Sequence, residues 1–329
     1  MLPAASAGPT SRLLLVLALL ALLVSGPTSA QPTQKSACFD AGTLSPALQA
    51  RSEALLLDAL DSEHLYTLAT GLKPMSAGFF GAQVAMSAPD MAAEQAQRVL
   101  DDHADADLSR LDATARTDLE TARAVQARIA ALQEIEDVRT ILATWRCGGQ
   151  IHADLVHYAN ARGGERTLHA VVFALPSVRR LMVDKAPFFS RWGFTASTSP
   201  VEIVNTIEYS RDATRFAGYG YLFGYPDDAV HFFATAATSQ DVTGTFVVRD
   251  FRAIPTFQRD TGQFTYAVAK GADETAADGA LKARAARILG AYKARRAQYI
   301  GEGKPGAAAL VRDWFCPSDD HCDPSAAAL

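Results

Sequence analysis

Between residues 112 and 145 the apolar side chains Val125, Ile129, Leu132, Ile135, Val138, Leu142 and Trp145 recur at spacings of three and four. That period places them on one face of a single long helix, and such a face must be buried against a partner. Gly148 and Gly149 end the pattern, and beyond them the period shortens toward two. The chain is therefore expected to combine a helical first part with a mixed second part. In the first part, Ser45 before Pro46 is a helix start, continued by Leu48, Leu55, Leu56 and Leu60. A second helical stretch over 63–70 stops at Gly71, with Pro74 beyond it. Residues 75–89, rich in Gly, Ala and Ser, read as a packed loop.

After Gly149 the strand signals take over. Residues 151–158 and 167–175 flank Ala-Asn-Ala-Arg-Gly-Gly-Glu-Arg, which is turn chemistry for a hairpin. A second hairpin is expected from 243–254 and 263–269, with a helix over 226–238 and an aromatic loop over 187–194 between the two. The last long helix, about 274–299, carries Leu281, Ala285, Ile288 and Tyr292 on one face. The expected class is α+β: an N-terminal helical half, residues 31–147, packed on a C-terminal mixed α/β half, residues 148–329, with antiparallel hairpins. No repeat or linker separates them, so they are expected to form one compact unit.

Residues 13–24 are twelve apolar residues without a charge, preceded by Arg12 and followed by Ser25, Gly26 and Pro27. A membrane span needs about 20 apolar residues, so the run has the length of a signal-peptide core. Cleavage is expected after Ala30, with an uncleaved anchor as the alternative because only one positive charge precedes the run. Nothing later in the chain approaches a second span, and the mature chain is expected to be secreted or periplasmic. The net charge of −5 becomes −6 when the segment carrying Arg12 leaves. An acidic exported protein lacks the basic footprint that nucleic-acid binding requires. The preference for Arg over Lys, 24 against 7, together with the abundance of Ala, reads as a GC-rich bacterial genome.

The four cysteines, Cys38, Cys147, Cys316 and Cys322, suit disulfides in an oxidising compartment. Of the three pairings, Cys316 with Cys322 across a short loop leaves Cys38 to tie the mature N-terminus to Cys147. A reactive Cys147 thiolate with His152 as base would require a free thiol.

Two groups of residues carry candidate chemistry. Over 216–224 small and large residues alternate; read as a strand, Gly218, Gly220, Leu222 and Gly224 share one face and Tyr219, Tyr221, Phe223 and Tyr225 the other. Glycines along one face imply that another element or a ligand approaches the backbone. The tyrosine ladder could stack on a glycan or other small-molecule ligand, or pack against the helix that carries Val230, Phe232 and Phe233. Arg211 and Arg215 could add hydrogen bonds to an anion at the helix start after Pro226, although Asp227 and Asp228 already place negative charge there. The second group is His152, Asp154 and His169, which could hold zinc if the first hairpin brings them together. No cofactor is expected otherwise. The leading expectation is a binding or accessory protein of the bacterial envelope using the aromatic strand; the rival is a metal-assisted hydrolase on the histidine cluster. No Gly-x-Ser-x-Gly elbow and no phosphate-binding loop is present.

Overall fold

A computed structural model describes residues 38–104 and 106–316. Residues 1–37, which include the expected signal segment, and Cys322 lie outside the described residues. The chain is α+β, with helices surrounding two small antiparallel sheets. In order it runs α1 (Pro46–Asp61), α2 (Leu65–Leu68), β1 (Met75–Ala85), α3 (Ala93–Asp102), α4 (Ala113–Ala143), β2 (Ile151–Arg162) and β3 (Glu165–Ala174). It continues through α5 (Leu175–Asp184), α6 (Ala186–Phe189), α7 (Pro200–Glu208), α8 (Asp212–Leu222), α9 (Asp227–Thr243), β4 (Arg249–Ile254), β5 (Phe264–Ala269), α10 (Ala276–Tyr299) and α11 (Ala307–Phe315). Among the described residues no helix is long and apolar enough to cross a membrane.

The helix ends follow local chemistry. Ser45 Oγ accepts from the Leu48 amide and Pro46 opens α1, while Asp112 accepts from the Ala115 amide at 2.8 Å and opens α4. Thr275 and Asp278 form a reciprocal capping box at the start of α10. The apolar stripe of α4 is buried in two stretches. Ala122 and Val125 pack with Ala96 of α3, and Ile135, Val138 and Leu142 enter the main core. Ile129 and Leu132 between them stay open, at 43% and 46% exposure.

The first sheet has the order β1-β3-β2, with Gly163 and Gly164 turning the β2–β3 hairpin at positive φ. β1 corrects the expectation of a loop over 75–89. Its glycines do not break the strand; they make room for a neighbour, because a Cβ on Gly81 would lie 3.2 Å from Cδ2 of His169. One sheet face, through Ile151, Ala153, Leu155, Ala170 and Val172, belongs to the main core. The other, through Val156, Val171 and Phe173, belongs to a second core beneath α5, α7 and α8. The main core draws on both halves of the chain, combining Leu56, Trp145, Ala285 and Phe315. It contains a buried polar lock: Tyr292 Oη donates to Asp61 Oδ1 at 2.5 Å, and Arg296 grips both Asp61 oxygens at 2.6 and 2.8 Å.

Candidate functional site

The residues 216–224 are not a strand. They lie in α8 and the turn after it, and the alternation of small and large residues has a different physical origin. Two other helices press on the glycines: a Cβ on Gly218 would meet Ile207 Cγ2 at 2.8 Å, and one on Gly220 would meet Val230 Cγ2 at 2.8 Å. Glycine within a helix is unfavourable by about 1 kcal/mol relative to alanine, and here the close approach of α7 and α9 offsets it. Gly224 then takes φ +72° to end the helix, with the Leu72 carbonyl 3.1 Å from where its Cβ would stand. The backbone is approached by other elements of the fold.

The helical period redistributes the predicted residues. Arg215, Tyr219 and Phe223 are four apart and share a face, and the Tyr219 and Phe223 rings stack with centroids 5.6 Å apart. Tyr225 follows after the turn, its ring 5.6 Å from that of Tyr266. Tyr221 points away: it packs edge-on against Phe188 and shares a 3.0 Å hydrogen bond with His231 Nε2. Arg211 precedes α8 on the exposed surface and does not line the site. The helix start after Pro226 does not present an open anion site either, since Asp227 there pairs with Lys185 at 2.5 Å.

What the helix face lines is a cavity of about 370 Å³ between α8, α9 and the β4–β5 hairpin, reached also by Tyr158 of β2. Its walls are aromatic, with Phe216 and Phe233 in edge-to-face contact at 5.3 Å. Phe251, 66% exposed, forms part of the lip, and Phe246 and Val248, both 60% exposed, lie a few residues before it in the chain. Behind the wall, the fully buried Lys73 pairs with Glu63 and stands 5.3 Å over the Phe223 ring and 4.5 Å over that of Phe264. Burial pulls the Lys73 ammonium below its ordinary range, and Glu63 opposes that pull.

One acidic residue organises the polar end. Glu208, only 2% exposed, accepts from the Ala159 amide at 2.8 Å, from Arg215 at 2.9 and 3.2 Å, and from Tyr219 Oη at 2.6 Å. The charge of Arg215 is thereby neutralised inside the protein. Tyr158 and Tyr225 differ: among the described residues neither hydroxyl has a hydrogen-bond partner, and both line the cavity. Burial first, and then the charge of Glu208 or Glu63, raises both phenols above their usual range, so both remain protonated donors.

The proposed metal ligands are placed differently. His152 and Asp154 share a face of β2, with His152 Nε2 3.6 Å from Asp154 Oδ2, but Arg146 also holds that oxygen at 3.0 Å. His169 is paired with Val156 and packs edge-on against Tyr158 at 4.7 Å. Among the described residues no group of three or more His, Cys, Asp or Glu side chains is arranged to hold a metal ion. The thiol of Cys147 is buried and hydrogen-bonded to Cys38, and these two effects push it far above its ordinary range, which removes the thiolate reading. Cys38 and Cys147 are neighbours, as their expected pairing requires, but no disulfide joins them in the structure; for Cys316 the expected partner Cys322 lies outside the described residues.

Of the residues singled out in the sequence, Arg215, Tyr219 and Tyr225 meet at the cavity, whereas Glu208, Tyr158, Phe251 and Tyr266 were not singled out and Phe233 was expected only as a packing partner. These come from five separate elements, and no local spacing links them. No family model, curated protein or solved structure matches the chain. The geometry alone carries the functional argument.

Proposed function

We propose that this is an exported binding protein of the bacterial envelope, and that its ligand is a neutral, ring-bearing small molecule held in the aromatic cavity. The observation that carries the reading is the pair of unengaged hydroxyls, Tyr158 and Tyr225, in a cavity of 370 Å³ with aromatic walls. Ligand sites combine mostly apolar walls with a few polar groups that fix orientation, and their volumes run from about 300 to 1,000 Å³. Neutrality follows from Glu208 and Arg215, which satisfy each other and leave no free charge facing the ligand. A sugar ring or a hydroxylated aromatic ring suits the walls, because ring faces stack on Tyr and Phe while hydroxyl or carbonyl groups meet the two phenols. The exposed phenylalanine at the lip supports the same reading, since exposed apolar groups beside a cavity mark an interaction surface.

The test is a titration of the mature protein with 2-naphthol, a neutral ring with one hydroxyl. Saturable 1:1 binding is expected, and Thr265→Trp, which fills the cavity from β5, should weaken it by about tenfold or more, equivalent to about 1.4 kcal/mol. Binding that does not saturate, or that Thr265→Trp leaves unchanged in a folded protein, contradicts the reading.

A further inference from the structure

A second groove lies on the opposite face of the first sheet, between β1, β3 and α4, with a volume of about 550 Å³. Neighbouring residues of β2 divide between the two sites: His157 lines this groove and Tyr158 the aromatic cavity. Its floor is apolar, formed by Val84, Leu168, Ile135 and the half-open Leu132, where the α4 stripe emerges from the core. Its rim carries Arg128, Arg139 and Arg166, and no carboxylate lines it.

How these arginines are held decides what the groove can accept. Arg128 donates to the Ala85 carbonyl. Arg166 donates to the Tyr158 carbonyl at 3.1 Å and to Tyr209 Oη at 3.2 Å, and its other terminal nitrogen lies 3.6 Å from Met86 Sδ. Arg128 is therefore held at the end of β1 and Arg166 against β2 and the residue after α7, both by neutral acceptors, and among the described residues neither forms an ion pair. Arg139 stands 3.8 Å from both Glu136 Oε2 and Asp154 Oδ1, beyond ordinary hydrogen-bond reach. The preorganised guanidinium groups of Arg128 and Arg166, without an ion pair among the described residues and beside an apolar floor, complement a ligand with an anionic head and an alkyl tail. A neutral apolar ligand would leave the charges unused, and a small hydrophilic anion would leave the floor uncovered.

We infer that this groove binds a single-chain carboxylate amphiphile of the fatty-acid class, with the carboxylate between Arg128 and Arg166 and the chain along Leu132 and Leu168. The site is independent of the aromatic cavity. The experiment is calorimetric titration of the mature protein with monomeric decanoate, beside 1-decanol as the uncharged counterpart. One decanoate per chain is expected, with 1-decanol weaker by about tenfold or more, the discrimination of one charge-assisted contact. Arg128→Met with Arg166→Met, which keeps the apolar stems, should abolish the preference for decanoate, whereas Thr265→Trp should leave it intact. Equal binding of acid and alcohol by the wild-type protein would overturn the inference even if the double variant failed to fold. Loss of decanoate binding in folded Thr265→Trp would overturn it as well, by placing the ligand in the other cavity. Absence of decanoate binding alongside adsorption to anionic phospholipid vesicles would assign the arginines to a membrane surface instead, and likewise overturn it.

Discussion

Two regions of this molecule are built from tyrosines around a buried carboxylate, and they differ in what remains unspent. In the main core Tyr292 is fully buried and donates to Asp61, Arg296 closes the carboxylate from the other side, and Trp314 stacks over the Tyr292 ring at 6.2 Å. The Tyr292 hydroxyl and both Asp61 oxygens are taken up within the fold. Around Glu208 the same logic begins, with Tyr219 and Arg215 in the corresponding places, but it stops short of closure. Tyr158 and Tyr225 bring hydroxyls to the same wall without a protein partner, and space remains in front of them. Aromatic content therefore does not distinguish a site from a core. The distinguishing feature is polar capacity that the protein has left open beside a cavity.

The largest expected effects treat the two carboxylates as equals. Removing one member of a buried ion pair strands the other, which costs about 3–5 kcal/mol. Asp61→Ala and Glu208→Ala should both destabilise the fold by amounts near that range in urea titrations, since Asp61 is 7% and Glu208 2% exposed. If Glu208→Ala proved neutral, Arg215 would be free to act on a ligand and the claim of a neutral cavity would fail.

Acid should separate the regions next. His64, beside the main core, is buried, shares a 2.6 Å hydrogen bond with Ser62 Oγ and packs edge-on against Phe79. Burial first, and then the charge of Lys73, lowers its pKa from 6.5 to about 3. Between those values the unfolded chain binds a proton that the folded chain refuses, so stability increases with pH and is lost as pH falls from 6.5 toward 3. The slope from this group is at most about 1.4 kcal/mol per pH unit. Urea midpoints of His64→Leu should fall less steeply than those of the wild type between pH 6.5 and 5, where carboxylates contribute little; parallel slopes would show that the histidine is not the sensor.

The sequence was most legible where local chemistry and periodicity agree. The cap at Ser45, the stripe of α4 and the Gly163-Gly164 turn each commit their segment without help from distant residues. Over β1 and α8 the local signal misleads. Glycine in β1 looks like a loop until His169 is placed over it, and the alternation in α8 has the period of a strand because its glycines answer to Ile207 and Val230 on neighbouring helices. The helical spacing of Arg215, Tyr219 and Phe223 was present all along. Glu208 gave no signal: a single glutamate at the end of a short helix belongs to no pattern until Ala159 and α8 close around it. Arg211 and Tyr221 were close in sequence to the site, but the helix turns them to other surfaces.

The most direct measurement is the affinity for 2-naphthol of Tyr225→Phe, read beside its urea midpoint. Because the Tyr225 hydroxyl has no protein partner, its loss should leave stability within about 0.5 kcal/mol of wild type while weakening the probe severalfold, the worth of one hydrogen bond. A Tyr225→Phe protein that binds 2-naphthol as the wild type does, or that loses stability to the extent expected for Tyr292→Phe, about 1.5 kcal/mol or more, would contradict the account: the aromatic cavity would then be one more wall of the core.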